Sequence, residues 1–242
     1  MTAKSRSGLG LVRWAGSALW GMRRQARRRR LLVSVALRAR WLHAEVDVRL
    51  SRDVELGRRV RVELDPHTSS VMWVGPVCRL GDDVSVHLRG GRLVMGRAID
   101  LRAGCRLEVA GQLELIGPNL VQRLSSIHCD DAVTIGPYAV LSEMVTVVDS
   151  THPHHGPSKW FLDDVVTSPV VVGPQVWVGA KATVARGVEI GPGAVVSANS
   201  LVVDDVAAGW LVSGVPAARV HPVDRAARPG RARPVGSGQQ AR

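Results

Sequence analysis

Three histidines stand close together in Asp149-Ser-Thr-His152-Pro-His154-His155, behind a carboxylate. A neutral imidazole can take the proton of a weakly acidic hydroxyl at neutral pH, and a nearby carboxylate can orient the ring and stabilise the imidazolium. The same rings can instead hold a metal ion, or simply decorate a solvated turn. What surrounds the cluster has to choose among these uses.

The surroundings are repetitive. From Val172 to Ala207 the chain has a period of six, with Val172, Val178, Val184, Ile190, Val196 and Val202 at the first positions. The second positions are small except the last (Gly173, Gly179, Ala185, Gly191, Ser197, Val203), and no fifth position is large (Val176, Ala182, Val188, Ala194, Ser200, Val206). Such a period fits neither an amphipathic helix nor plain alternation, and β-branched residues with recurrent glycine favour short extended segments joined by turns. Stacked into a solenoid, these segments pair as parallel strands and bury a continuous aliphatic column, with glycine expected where the backbone turns. Two further units precede the cluster (IGPYAV, LSEMVT), and looser ones appear at 50–62 and 80–86. Residues 149–169, with Pro153, Gly156, Pro157 and Trp160, break the register and read as an excursion, where repeat scaffolds carry function.

Chain organisation follows from this pattern: a basic extension over 1–44, degenerate repeats over 45–129, regular repeats over 130–207, a cap segment over 208–220 and a disordered basic tail over 221–242. The formal net charge of +11 belongs to the two ends. Residues 1–44 hold eleven Lys and Arg with no carboxylate, and 221–242 hold five Arg against Asp224, which leaves the body at −4. A nucleic-acid partner is therefore not expected. Cys78, Cys105 and Cys129, odd in number and without a CxxC, fit reduced thiols and a cytoplasmic protein. The apolar run 31–37 is far short of the ~20 residues of a membrane span. Arginines with Trp14, Trp20 and Trp41 suit either peripheral contact with an anionic membrane, at its inner face, or a helix capping the solenoid.

The run PVVVGPQVWVGAKATVARGVEIGPGAVVSANSLVVDDV, followed by GVPAARV, resembles the hexapeptide-repeat sugar O-acetyltransferases, the maltose, galactoside and capsule-modifying enzymes among them. The resemblance implies an all-β, left-handed parallel β-helix of three six-residue faces, although the usual crossover rule favours the opposite hand. It also implies a homotrimer with active sites shared between neighbouring subunits. His152 matches the family's catalytic histidine, with Asp149 as a candidate orienting acid; His154 and His155 are candidates for the acceptor pocket. Trp177, Gly179, Ala180 and Ala198 are placed along the pantetheine groove of acetyl-CoA, and Gln122, with Asn119 competing, near the acceptor. The family's lysine is missing at Val203-Asp204-Asp205, and its basic residue after Pro-Ala is displaced by one to Arg219, so Arg219, Arg225 and Arg228 are expected to meet the CoA phosphates. Zinc carbonic anhydrases of the γ class share the solenoid but spread their histidines over successive coils. Here His128 is isolated, and no metal is expected.

The implied function is acetyl-CoA-dependent O-acetylation of a carbohydrate, a surface polysaccharide or lipid-linked glycan precursor. The alternatives are acetylation of a small acceptor (an amino sugar, an antibiotic or serine) and a non-catalytic assembly or membrane-surface module.

Overall fold

Apolar residues that alternate with polar ones become strands of two to six residues, their apolar members inward, as in Arg92–Met95 and Ser85–Leu88. In the computed structural model, which describes residues 7–153 and 164–223, these strands stack into a three-sided prism. The first sheet, of seven strands, runs from Glu45–Leu50 to Glu189–Ile190. The second, of nine, starts at Glu55–Leu56, and the third, of seven, at Arg61–Leu64. Each coil visits the first, second and third sheets in turn, and within these three sheets the ladders are parallel apart from the terminal hairpin.

Only the C-terminal coils keep the eighteen-residue step of three hexads, as in Thr183↔Leu201 and Trp177↔Val195. The upstream half, expected to be degenerate, has its own regular step of twenty: Leu93, Leu113 and Val133 stack, as do Met95, Leu115 and Ile135. Coils nearer the N-terminus are longer still (Arg61↔Ser85). The extra residues lie at the corners, so the interior column continues unbroken, with Leu80, Val86, Leu107, Ile127, Val147, Val178 and Val184 fully buried.

The recurrent glycines do different work from that expected. The left-handed residue in the turns is mostly not glycine, as at Gln175 (φ 58°), Lys181 (φ 59°) and Asn199 (φ 57°). Two residues earlier stands a glycine before Gln175 and Lys181 (Gly173, Gly179) and the small Ser197 before Asn199, where successive coils approach closely. A Cβ on Gly96 would lie 2.3 Å from the Ile116 carbonyl oxygen, and one on Gly191 would lie 2.5 Å from the Ala208 nitrogen.

The basic extension is helical over Ser7–Leu42 (α1) and lies across the open N-terminal end, with Leu31, Val35 and Ala39 buried against the first coil. Inside the stack, the carbonyls of Val74, Cys78 and Leu80 accept amides from the coil before (Ser51, Glu55, Gly57). Their counterparts one coil earlier, Leu50, Val54 and Leu56, have no preceding coil. Arg28, Arg24 and Arg27 of α1 donate to them at 2.7, 3.1 and 2.9 Å, and Arg38 donates to the Val62 carbonyl at 3.0 Å. Four guanidinium groups thus stand in for missing backbone amides. At the other end the expected cap segment is an antiparallel hairpin, Trp210–Gly214 with Ala217–Pro222, attached to the second sheet through Val195↔Leu211. No helix among the described residues is long and apolar enough to cross a membrane.

Because the atom facing Gly96 is backbone, Gly96→Ala should cost about 1–3 kcal/mol. At about 2–4 °C per kcal/mol for a chain of this size, its thermal unfolding midpoint should fall by several degrees. An unchanged midpoint by circular dichroism would contradict the close-approach reading.

Candidate active site

The excursion leaves the prism after Thr146–Val148 of the third sheet and rejoins at Val170–Val172 of the first, so it projects from the third-to-first corner. A short antiparallel ladder, Ser150↔Thr167 and Thr151↔Val166, clamps its base. His152 follows directly, exposed, and His154, His155 and Trp160 lie outside the described residues, as do Arg225 and Arg228.

The Nδ1 atom of His152 lies 2.9 Å from the Asp164 carbonyl oxygen. A carbonyl can only accept, so Nδ1 carries the hydrogen, and in the neutral ring the lone pair is on Nε2. That is the tautomer a general base needs. The carbonyl, not Asp149, holds the ring in this structure. Asp149 is fully buried, and its carboxylate is occupied elsewhere: Oδ1 accepts the Asp130 amide at 2.8 Å and Oδ2 the Asp131 amide at 2.9 Å. One coil below, the matching amides of Ala110 and Gly111 both donate to the Cys129 carbonyl. Where the chain departs, the Asp149 carbonyl instead takes the Ser168 amide (2.8 Å), and the side chain serves the two amides left over. Asp149 therefore anchors the launch point of the His152 loop, a positioning role that replaces the expected contact with the ring.

Trp177, Gly179, Ala180 and Ala198 gather at a different corner, second-to-third, on two successive coils. Trp177 is exposed and donates from Nε1 to Ser142 Oγ at 2.9 Å. Ala198 is exposed one coil above Ala180, so a bulky aromatic wall stands beside a floor of small residues. The Gly179 amide is spent on the Val196 carbonyl at 2.8 Å and is not a donor for a ligand. Gln122 lies on this same corner, two coils below, and Asn119 is buried, its side chain bridging the Gly117 amide and the Gly136 carbonyl. Arg219 stands in the terminal hairpin over the Trp210 ring, 5.4 Å from its centroid. One chain therefore presents His152 at one corner and the Trp177 groove at another.

Sequence reading missed a recess of about 850 Å³ along the third-to-first corner, below the His152 loop. Arg92, Gln112, Glu114, Asp131 and Thr134 line it with polar groups. The twenty-residue recurrence of Gly91 and Gly111 was its signal. The three cysteines are free and buried, and burial pushes the Cys105 thiol up to about 11 and that of Cys129 to about 12. Near neutral pH they are thiols, not nucleophiles.

Comparisons with known proteins agree with this architecture. A model of the bacterial transferase hexapeptide, six repeats, matches residues 169–204. The chain is 32% identical over 137 residues to the Escherichia coli K12 protein WbbJ, provisionally assigned as a lipopolysaccharide biosynthesis O-acetyl transferase, covering 52% of this chain and 70% of that one. The chain belongs to the bacterial hexapeptide transferase family. It is also 32% identical over 103 residues to the galactoside O-acetyltransferase of the same organism, covering 42% of this chain and half of that relative's length. The polysialic acid O-acetyltransferase OatWY superposes with a TM-score of 0.58 at 16% identity, over 74% of this chain and 88% of that one, a likeness of fold. As a hexapeptide transferase the prism is a left-handed parallel β-helix, and its activity class is acyl transfer.

Two outcomes follow. Asp149→Asn turns an NH₂ towards a backbone amide and should cost about 1–3 kcal/mol, read as a fall of several degrees in the unfolding midpoint. A wild-type midpoint would refute the anchoring role. A thiol reagent at pH 8 should label none of the three cysteines rapidly in the folded protein and all three in guanidinium. Rapid labelling of any in the native state would contradict their burial.

Proposed function

We propose that this hexapeptide transferase moves an acetyl group from acetyl-CoA to a hydroxyl of a carbohydrate, with His152 as general base. The observation that carries the reading is the bond between His152 Nδ1 and the Asp164 carbonyl, which puts the hydrogen of the neutral ring on Nδ1 and makes Nε2 its basic nitrogen. In the step this allows, Nε2 takes the acceptor's hydroxyl proton as the oxygen attacks the thioester carbonyl. The carbon–sulfur bond then breaks, and the departing CoA thiolate recovers the proton from the imidazolium. A sugar hydroxyl needs this help, and such a base contributes about 10²- to 10⁴-fold.

The donor's thin pantetheine arm suits the groove of Trp177, Ala180 and Ala198, with Arg219 available to a phosphate. The polyol acceptor suits the recess lined by Arg92, Gln112, Glu114 and Asp131. Since one chain keeps donor groove and base on separate corners, the complete site belongs between two copies, and a homotrimer supplies three. That relatives are named for O-acetyl transfer supports hydroxyl over amine as the nucleophile.

The test is to incubate the protein with acetyl-CoA and a panel of glycans and amino sugars, following free thiol and product mass. His152→Ala should lower turnover by about 10²- to 10⁴-fold with little change in acetyl-CoA affinity and an unchanged unfolding midpoint, while His154→Ala and His155→Ala keep most activity. Near-wild-type turnover in folded His152→Ala removes the base. Transfer confined to amines would replace the hydroxyl acceptor with an amino sugar.

A further inference from the structure

The face of α1 that caps the first coil accounts for only part of the helix. Leu31, Val35 and Ala39 turn inward. On the opposite side Val33, Leu37 and Trp41, four residues apart, are 57%, 65% and 79% exposed, and Met22, on the same side, is 65% exposed. Arg29, Arg30 and Arg40 are exposed among them. Val33, Leu37 and Trp41 form an apolar stripe edged with cations, directed away from the coils, and capping does not use it. The helical segment before it, residues 7–22, contains a single charged residue, Arg13, together with Trp14 and Trp20.

Charge selects the occupant. Residues 1–44 carry no carboxylate, so two copies of this face would repel, and a protein partner or a bilayer must bring the negative charge. Beside the stripe, Arg24, Arg28, Arg29 and Arg52 ring a recess of about 630 Å³ floored by Leu32 and Val54, a shape and charge suited to a phosphodiester headgroup. Apolar side chains flanked by arginine, with tryptophan, on a helix that cannot span a membrane, are the features of an interfacial helix. We propose that the outward face of α1 docks the enzyme on an anionic lipid bilayer, with acyl-chain contact through Val33, Leu37 and Trp41 and headgroup phosphates at the arginines. The inward face caps the solenoid at the same time, so the two roles expected as alternatives fall to opposite sides of one helix.

The full-length protein is sedimented with vesicles of neutral phosphatidylcholine alone or with phosphatidylglycerol at 7:3. Partition into the anionic vesicles should exceed that into neutral ones at least tenfold and fall in 0.5 M salt, since each arginine near an anionic surface is worth about fivefold. Arg29→Gln with Arg40→Gln should weaken binding about 25-fold, and Leu37→Ser with Trp41→Ser about tenfold or more, both with unchanged unfolding midpoints. Equal partition into the two vesicle types, no partition at all, or wild-type binding by both double variants overturns the proposal. So does a smaller oligomer, without vesicles, for the Leu37 and Trp41 variant, because the stripe would then be a contact between copies.

Discussion

Parallel strands stacked at ~4.8 Å require each coil's amides and carbonyls to be answered by the coils on either side. A solenoid with open ends and a departure in mid-course meets that requirement three ways here. In the interior, glycines such as Gly96 and Gly191 let successive backbones approach without a Cβ between them. At the N-terminal end, where no earlier coil exists, Arg24, Arg27, Arg28 and Arg38 of the capping helix donate to the exposed carbonyls. At the point of departure, the Asp149 carboxylate takes the two amides that the outgoing chain deserts. The third device is where the scaffold meets the chemistry, because it fixes the corner from which His152 projects.

Much of this is legible in the residues, for reasons that differ by region. Val172 to Val202 declare themselves because three hexads to a coil keep every face in phase. The upstream coils hide behind a step of twenty residues, which a search for six reads as decay. The stacking of Leu93, Leu113 and Val133 shows the regularity that was there all along. The excursion and its histidine stand out because a broken register is as visible as a kept one. The work of Asp149 is not readable from sequence, since a carboxylate three residues before a histidine suggests an orienting acid, and only the backbone geometry shows that its oxygens are already engaged. Likewise a glycine at the second position of a hexad looks like a turn residue, until the left-handed positions prove to hold Gln175, Lys181 and Asn199.

Function then rests on how the prism distributes its corners. Ring tautomer and loop clamp are properties of one corner, while the aromatic-walled groove at Trp177 belongs to another. On the proposed reading, assembly of like chains side by side would convert that separation into a shared cleft, which ties oligomerisation to catalysis.

The most direct test of that account is complementation between two inactive variants, His152→Ala and Ala198→Trp, the second blocking the groove. When the two are co-expressed and mixed trimers are verified by mass, some clefts combine an intact His152 from one copy with an intact groove from its neighbour. Acetyl transfer should then return to about a quarter of the wild-type level, the share of intact clefts after random assembly. Mixed trimers no more active than either parent would show that each chain completes its own site, and would contradict the account.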